Sequence, residues 1–484
     1  MDKFHKIILT ISIVIVVTQF ILGLFQPLWL DEVSTFFLVD VNTIGKLLQN
    51  LYVGVDTHPP LYFSLVFLLK VFSGENLIVF KLLSLFLSLS GVVYFYFNMK
   101  KYFKQETWVI LFFLLSLTPF FSHFLIREIR PYSLYFCLAL FFIVHWQKYR
   151  KLEKPTIKNI FCFSIIITLL LYTHYFTLIY LFGFFSIEFY YAIREKRFVK
   201  IIPFFISFVL FIPGMMGMHN QINSVHGFVW QDVPSFLQLV FLPRFFFKFI
   251  SVIFLFFTFT FFFQSSRKTL YSFFKKNTEM TLIMLITVIV PIVIYLFSQN
   301  HTVVFVERYF VISYIGCVLF FGISYEVLPN KFKKIVFIFT FLFGTRQIYH
   351  YYNDVQFSIN KIHYYQNLNT LNTPILCEGV LEFYPAYFYT NKDKSSNFFY
   401  VLDEEAAKNA SNSNKLQFDY YWNKNMKEYY TIPHFMEWEE NQDIIKKFYV
   451  FLNRKSNFFE YRIKNNPSYT WNKLDSNVVY VTRN

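Results

Sequence analysis

The sequence predicts a mainly α-helical polytopic membrane protein followed by a small soluble α/β domain, and three observations lead to this fold class. Charged residues make up 15% of the chain, whereas an ordinary soluble domain contains roughly 25%. Hydrophobic residues make up 55%, and 70 residues are Phe. The apolar residues form long blocks that short basic clusters separate, and each block approaches the roughly 20 residues with which a helix crosses a bilayer.

The first apolar block covers residues 7–25 behind a basic N-terminus and has the length of a signal peptide. No cleavage site with small residues follows it, so we expect a retained first helix. Residues 61–72 are apolar but short, and they contain Lys70 and follow a Pro-Pro pair. We expect a re-entrant or surface-lying helix there. Ten further spans, which bring the total to eleven, are centred near residues 88, 115, 139, 166, 184, 208, 254, 288, 317 and 341.

Basic clusters decide the predicted topology. With residues 61–72 kept on one side, every cluster falls on the same side as the N-terminus, and the positive-inside rule assigns that side to the cytoplasm. The formal net charge of +15 then divides into +14 for the cytoplasmic segments, +1 for the outer positions of the membrane domain and 0 for the tail. We therefore predict a cytoplasmic (inner) membrane protein without a nucleic-acid partner. The clusters lie at 100–104, 148–158, 194–200, 267–276 and 331–334.

Two regions of the predicted outer side have internal structure. In the segment 26–76, apolar residues at positions 33, 37, 41, 44, 48 and 51 have helical spacing, which predicts one helix lying along the membrane surface. Beyond about residue 350 the apolar blocks stop. Strand-like runs at 398–402, 448–452 and 478–481 and a helical run at 441–447 predict an extracytoplasmic, periplasmic α/β domain over 351–484, after a membrane domain over 1–350.

Four groups of ionisable residues fall on the predicted outer side, where charges at membrane depth indicate function. The first is Asp31 with Glu32, at the point where the first helix emerges. These carboxylates suit a general base or a metal site, and they equally suit the cap or first turn of the following helix. The second is Asp56 with His58, before two prolines that punctuate helices. Asp56 and His58 can bind a metal, a phosphate or an acceptor hydroxyl.

The third group lies in a short outer loop and contains Arg127, Glu128, Arg130 and Tyr132. Two arginines at an interface suit a planar, bidentate grip on an anionic group. The alternative is that the arginines snorkel to lipid headgroups.

The fourth group is Glu307-Arg308-Tyr309, at the outer end of the tenth span, where a single Arg could equally be an anchor. An acid that deprotonates a hydroxyl, together with cations that stabilise a departing phosphate, is the constellation of a group transfer from a lipid phosphate. The four groups therefore favour such a transfer. Weaker candidates, for which a structural role is at least as well supported, are Lys81, His174 and Arg244.

The order of these motifs resembles the GT-C superfamily of polytopic glycosyltransferases, which includes protein O-mannosyltransferases and the lipid A aminoarabinose transferase. The matching elements are Asp31-Glu32, the runs 57–62 and 128–132, and Arg308-Tyr309. The resemblance implies an inverting transfer of a sugar from a polyprenyl-phosphate donor to a lipid, glycan or protein acceptor on the outer face of the membrane. Membrane lipids are the further expected partners.

The resemblance also implies residue roles. Asp31 is the catalytic base, with Glu32 beside it. Glu128 and Arg130 order the acceptor or sugar pocket, and the aminoarabinose transferase has an Asp where this chain has Arg130. The phosphate is held by His58 and the Arg-Tyr pair late in the chain. The implied substrate-binding residues are Asp56, His58, Glu128, Arg130, Tyr132, Arg308 and Tyr309.

Two other classes of protein remain open at this point. A multi-pass transporter or flippase of a lipid-linked or anionic envelope substrate should show two-fold repeats or broken mid-membrane helices, and the sequence has no convincing repeat. A non-catalytic assembly or sensor protein would need none of the outer acids. No cofactor is predicted with certainty, because the acids and His58 permit a divalent metal but no ligand spacing demands one.

Overall fold

The fold is seen in a computed structural model, which describes residues 3–224, 233–248, 264–300, 303–377, 379–391, 396–403, 427, 434–441, 445–451, 463, 466–475 and 477–483. Contacts divide the chain into two compact units. The first, here called the helical unit, comprises Met1–Leu24, His58–Met216 and Val233–Asn353. The second, here called the mixed unit, comprises Phe25–Thr57, Gly217–Asp232 and Asp354–Asn484. The sequence-based boundary at residue 350 separated the tail alone, whereas two earlier segments group with it.

Helices dominate both units, and short 3₁₀ or π segments connect several of them. A π-helix covers Phe120–Leu125, and 3₁₀ helices cover Lys100–Tyr102, Phe198–Ile201 and Glu307–Tyr309. The α-helices are α1 (Lys3–Phe25), α2 (Leu30–Val39), α3 (Ile44–Val53), α4 (Leu61–Ser73), α5 (Leu77–Met99), α6 (Gln105–Leu117), α7 (Tyr132–Lys151), α8 (Ile157–Leu171), α9 (Thr177–Glu195), α10 (Ile202–Leu210), α11 (Ile212–Ser224), α12 (Phe236–Val240), α13 (Leu242–Phe247), α14 (Gln264–Lys276), α15 (Thr278–Asn300), α16 (Val311–Val327), α17 (Asn330–Asn369), α18 (Val380–Thr390) and α19 (Trp438–Asn441).

Helices occupy every predicted span centre that the structure describes; the centre near residue 254 lies outside the described residues. Among the described residues, three helical stretches are long and apolar enough to cross a membrane alone: Lys3–Phe25, Leu77–Tyr102 and Thr278–Asn300. The pair Phe198–Leu210 and Ile212–Asn223 qualifies together and is bent by 51°. The chain is thus a membrane protein rich in apolar helices, and the count of eleven crossings stays a prediction. Residues 61–72 form the predicted helix, α4, and its re-entrant or surface-lying position stays a prediction.

Local signals explain where several helices begin. Asn76 caps α5 by accepting a hydrogen bond from the Ile78 N–H at 3.1 Å, and Thr156 forms a capping box with Asn159 at the start of α8. Such caps satisfy backbone donors that a helix leaves unpaired. The first turn of α6 is capped from a distance, because Glu326 of α16 accepts hydrogen bonds there, including one from the Lys104 N–H at 2.7 Å.

Small residues set the closest helix approaches in the helical unit. A Cβ added at Gly91 of α5 would lie 2.9 Å from the Cα of Cys137 in α7. A Cβ added at Gly316 of α16 would lie 2.1 Å from the Thr287 hydroxyl oxygen in α15. Both pairs therefore need a glycine, as is usual for tightly packed membrane helices. The buried core around them is apolar and rich in Phe.

The mixed unit contains a six-stranded sheet, which confirms the small C-terminal α/β domain. The strands are β1 (Ile375–Cys377), β2 (Phe398–Leu402), β3 (Phe435–Glu437), β4 (Lys447–Phe451), β5 (Tyr469–Lys473) and β6 (Val478–Arg483), in the order β3-β2-β1-β4-β6-β5. The pairs β1–β2, β1–β4 and β2–β3 are parallel, and β4–β6 and β5–β6 are antiparallel. All three predicted strand-like runs are strands.

The predicted helix over residues 441–447 is wrong where the structure describes it. The short helix α19 ends at Asn441, residues 442–444 lie outside the described part, and Lys447 opens β4. Pairing with β6 explains the difference: the Arg483 N–H donates to the Lys446 carbonyl at 2.9 Å, so this stretch joins the sheet instead of a helix.

The single surface helix predicted after α1 is also wrong, because the segment forms two helices. α2 ends at Val39, and the side chain of Thr43 accepts a hydrogen bond from the Lys46 N–H at 3.2 Å to start α3. After this break, the buried residues no longer follow the spacing predicted for a single helix. In α3 the buried apolar residues are Leu47 and Leu51, and the predicted face residue Leu48 is 42% exposed.

Candidate functional site

One face of α5 positions the segment that leads into α7. The Lys81 ammonium donates to the Gly23 carbonyl at 2.6 Å, the Ser84 hydroxyl to the Glu128 carbonyl at 2.8 Å, and the Ser88 hydroxyl to the Leu125 carbonyl at 2.6 Å. These three donors are three or four residues apart, so they lie on one face of the helix. All three are buried. The weak candidate Lys81 therefore has a structural role at the C-terminal end of α1, where a cation is favourable.

Arg127 is held by groups of the helical unit. Its Nε donates to the Ser122 carbonyl, its Nη2 lies 3.4 Å from Nδ1 of His123, and its guanidinium lies 3.5 Å from the centre of the Tyr351 ring. A Cβ at Gly23 would come within 2.4 Å of the Arg127 side chain. Arg127 is 4% exposed, as is Arg130, so protein groups surround both arginines and the snorkelling interpretation is not supported.

A cluster of rings and one guanidinium lies where several segments of the helical unit meet. We call His58, Arg130, Tyr132, His174 and Tyr309 the polar cluster. Arg130 Nη2 lies 3.2 Å from His58 Nδ1. The ring of His58 is 5.1 Å from that of His174 and 5.7 Å from that of Tyr309. The rings of Tyr132 and Tyr309 stack at 6.3 Å.

Backbone contacts hold the elements that carry the cluster. The Leu61 N–H at the start of α4 donates to the Tyr172 carbonyl at the end of α8, at 3.0 Å. This bond ties the segment after His58 to the turn that carries His174. Arg130 and Tyr132 flank the start of α7, and Tyr309 lies in the 3₁₀ turn before α16. Four chain segments that are far apart in sequence thus converge.

Positive charge dominates this region. Arg308 and Arg130 both lie within electrostatic reach of the Tyr132 hydroxyl, and Glu128 is the acid that also reaches it. Burial, together with the charges of Arg127, Lys248 and Arg308, lowers the pKa of His123 to about 3. His123 is therefore neutral at physiological pH. Guanidinium groups with neutral imidazole and phenol donors suit the recognition of a phosphate.

His174 is a central member of the cluster although the sequence singled it out only weakly. Its Nδ1 accepts a hydrogen bond from the Phe176 N–H at 3.2 Å, which places the proton of the neutral ring on Nε2. The ring stacks on Tyr135 at 4.9 Å and lies 4.8 Å from the ring of Tyr309. The signal in the sequence was the run of aromatic and polar residues around His174 in a hairpin turn, which also occurs without function.

The predicted acids lie in the mixed unit. Glu32 Oε2 accepts a hydrogen bond from the Trp29 N–H at 3.2 Å and so caps the start of α2. The capping interpretation is therefore confirmed for Glu32. Asp31 occupies the same first turn, and its carbonyl accepts a hydrogen bond from the Thr35 hydroxyl at 2.9 Å. Asp56 is buried in the same unit.

The helix that carries these acids packs on α18. The Tyr389 hydroxyl accepts a hydrogen bond from the Leu28 N–H at 2.7 Å, and the ring of Phe37 lies 5.6 Å from that of Tyr384. Burial raises the pKa of Tyr389, and the charge of Glu32 raises it further. The tail thus supports the first turn of α2, which the sequence did not predict.

The structure brings together four of the predicted residues in the helical unit, namely His58, Arg130, Tyr132 and Tyr309, with Arg308 next to Tyr309. Asp31, Glu32 and Asp56 belong to the mixed unit. The weak candidate Arg244 is exposed on α13. Among the residues that the structure describes, no group of three or more His, Cys, Asp or Glu side chains could hold a metal ion.

Comparisons with known proteins agree on the fold. No protein-family model and no curated protein sequence matches the chain. The crystal structure of ArnT from Cupriavidus metallidurans bound to undecaprenyl phosphate is similar over 99% of this chain and 97% of its own, with a TM-score of 0.57 and 9% sequence identity. The apo structure of the same protein is similar over 98% and 97%, with a TM-score of 0.56 and 10% identity.

The oligosaccharyltransferase of Archaeoglobus fulgidus is similar over 98% of this chain and 72% of its own, with a TM-score of 0.48 and 11% identity. At identities this low, the likeness to ArnT over almost the whole length of both chains shows the fold. The chain therefore has the fold of the polytopic GT-C glycosyltransferase ArnT, as its ordered motifs predicted.

Proposed function

We propose that this protein is an integral membrane glycosyltransferase that moves a sugar from a polyprenyl-phosphate donor to a lipid, glycan or protein acceptor. The observation that carries the proposal is the polar cluster, in which a buried guanidinium and two histidines meet in a protein of the ArnT fold. A cationic site at the ends of membrane helices suits a lipid phosphate, because its hydrocarbon tail can remain in the bilayer.

The proposed reaction is an inverting displacement at the anomeric carbon. The oxygen of the acceptor hydroxyl forms a bond to that carbon, and the bond from the carbon to the phosphate oxygen breaks with its electron pair. The products are the glycosylated acceptor and polyprenyl phosphate. The proton of the hydroxyl passes to a general base, and the charge that develops on the phosphate requires nearby cations.

His58 and Arg130 of the cluster, together with Arg308, are assigned to the phosphate. The resemblance implied the acceptor or sugar pocket for Arg130, but its contact with His58 at 3.2 Å leads us to assign it to the phosphate instead. Arg130 supplies a fork of guanidinium donors, and His58 supplies an imidazole. Arg308 adds a second cation within reach of Tyr132. Glu128 and Tyr132 order the sugar or the acceptor. Fixed donors of this kind lower the energy of the transition state because they need no rearrangement as the charge develops.

The acids of α2 are assigned to the acceptor. Asp31 takes the proton of the attacking hydroxyl. Glu32 is bound to the Trp29 N–H, so we assign it the positioning of the first turn that carries Asp31. Asp56 contributes to acceptor binding. The reaction is placed on the outer face of the cytoplasmic membrane, with the N-terminus in the cytoplasm and residues 351–484 outside it.

The experiment combines cells and purified protein. Mass spectrometry of envelope glycans and lipids from a deletion strain should show one sugar missing, and the purified protein should restore it from the matching polyprenyl-phosphate sugar with release of polyprenyl phosphate. Vesicles test the rival function: transport of the donor across the bilayer without release of polyprenyl phosphate would identify a flippase and overturn the proposal.

A further inference from the structure

An apolar cavity of about 500 Å³ lies within the helical unit, between α1, α5, α6, α7 and α16. Its volume is typical of a ligand pocket. Its walls are almost entirely apolar and include Ile13, Val93, Phe97, Trp108 and Leu140. Val93 is 51% exposed and Phe97 61%, so one wall is open on the outside of the helices. In a membrane protein this opening faces lipid.

The cavity lies at the end of α5 opposite the polar cluster. Lys81 and Ser84 join the site segment near the start of α5, whereas the residues of α5 that line the cavity run from Leu89 to Phe97. At 1.5 Å per residue, the cavity begins about 12 Å from Lys81 along the helix and extends to about 24 Å. The cavity is therefore separate in position from the cluster that would hold the phosphate of the donor.

Three lysines stand at the cavity end of the helix pair. Lys100, Lys101 and Lys104 lie in the turn between α5 and α6 and are all exposed. The turn is directly connected to the cavity wall, because the indole N–H of Trp108 donates to the Lys100 carbonyl at 3.4 Å. Three cations beside the end of an apolar cavity match the layout of an anionic phospholipid.

We propose that the cavity holds one acyl chain of an anionic phospholipid, whose phosphate is bound by Lys100, Lys101 and Lys104. The acyl chain fills the cavity and packs against the apolar side chains of the five surrounding helices. The headgroup neutralises the lysines of the turn. This site is independent of the proposed transferase activity, and neither proposal requires the other.

Native mass spectrometry of the full chain tests the proposal. After purification from nanodiscs of phosphatidylcholine mixed with phosphatidylglycerol, we expect one phosphatidylglycerol to be retained on each chain. The triple variant K100Q/K101Q/K104Q should retain it about tenfold less, because three lysines no longer attract the phosphate. The matched control K154Q/K158Q/R194Q removes three exposed charges that are not in this turn, and it should retain the lipid.

A second variant tests the chain-binding part. Val93→Trp should fill the open wall of the cavity and expel the lipid, whereas Leu296→Trp, on an exposed position of α15, should not. Equal retention of phosphatidylcholine would show that no anionic headgroup is selected and would overturn the proposal. Displacement of the lipid by polyprenyl phosphate would also overturn the proposal. This outcome has to be tested because a shallow groove along Leu82, Phe86 and Val93 of α5 adjoins the cavity.

Discussion

The polar cluster of the helical unit and the acidic turn of the mixed unit are built in opposite ways. The cluster consists of side chains from four distant segments, and Arg130 and His58 in contact are 72 residues apart. The acids Asp31 and Glu32 are neighbours on one short helix, and the Glu32 carboxylate is bound to the backbone three residues before it. One region is a product of packing and the other of local chain geometry.

This difference separates the roles of adjacent residues. One oxygen of the Glu32 carboxylate is engaged in the helix cap. In the same first turn, the backbone carbonyl of Asp31 accepts a hydrogen bond from the Thr35 hydroxyl. In the cluster, by contrast, no single residue fixes the site, since each ring is positioned by contacts with the others. The following substitutions test this contrast.

The largest effect is expected from Asp31→Asn. Removal of a general base should reduce the rate of sugar transfer by about 10²- to 10⁴-fold, while the thermal midpoint of the protein stays close to that of the wild type. The measurement is the initial rate of polyprenyl phosphate release with saturating donor. Asp40→Asn, at the exposed end of the same helix, is the control. Full activity of the Asp31 variant would exclude its assignment as the base.

Arg130→Gln should have the next largest effect. Loss of a guanidinium that stabilises the leaving phosphate should lower the transfer rate by about 10²- to 10³-fold. The matched variant is Arg244→Gln, because Arg244 is exposed on α13 outside the cluster and its loss should leave the rate near that of the wild type. A similar small change in both variants would contradict a role of the cluster in the transition state.

Glu32→Ala should act mainly on stability. Loss of a capping interaction typically costs about 1 kcal/mol, and we expect a lower thermal midpoint measured by circular dichroism of the purified chain. Glu32→Gln keeps an oxygen that can accept from the Trp29 N–H and should therefore lose less. If Glu32→Gln reduced transfer as strongly as Asp31→Asn, the charge of Glu32 would be part of the chemistry and the separation of roles would be wrong.

The smallest effect concerns His434 in the mixed unit. Its Nδ1 donates to the Phe398 carbonyl at 3.0 Å and its ring stacks on Phe399 at 4.7 Å. Burial lowers the pKa of His434 in the folded state. The neutral form is therefore favoured by folding, and this stabilisation is complete above the unfolded pKa of about 6.5.

Stability of the mixed unit should consequently fall as the pH decreases below about 6.5 and toward the lowered folded-state pKa. Thermal midpoints recorded across this range give the measurement. The variant His434→Gln retains an N–H donor without a titrating group, so its midpoint should depend less on pH. An equal pH dependence in both proteins would assign the effect to other groups.

Much of the fold could be predicted from the sequence because hydrophobic blocks and alternation are local properties. Helices at the predicted centres and the strands Phe398–Leu402, Lys447–Phe451 and Val478–Arg483 confirm this. Each of the two errors has a competing interaction. Thr43 provided a cap that divides the predicted surface helix, and strand pairing at Lys446 displaced the predicted helix over 441–447.

The residues of the site were harder to predict from the sequence than the fold. Asp31, His58, Arg130 and Tyr309 could be selected because ionisable and aromatic residues at helix ends are conspicuous. The sequence could not show that His174 belongs to the site, because only its closeness to His58 and Tyr309 distinguishes it from an ordinary histidine in a turn. The support of α2 by Tyr389 joins residues 361 positions apart, and no local pattern carries that information.

The amino-acid sequence alone was sufficient for the class of protein, the positions of most helices and three strands of the tail. The energy of burying apolar side chains depends on the composition of the chain and on the spacing of its apolar residues, and both can be read from the sequence. Tertiary packing decided which cations and rings meet and where a cavity remains. These properties depend on how separate elements fit together, and that fit is set by contacts between residues distant in the chain.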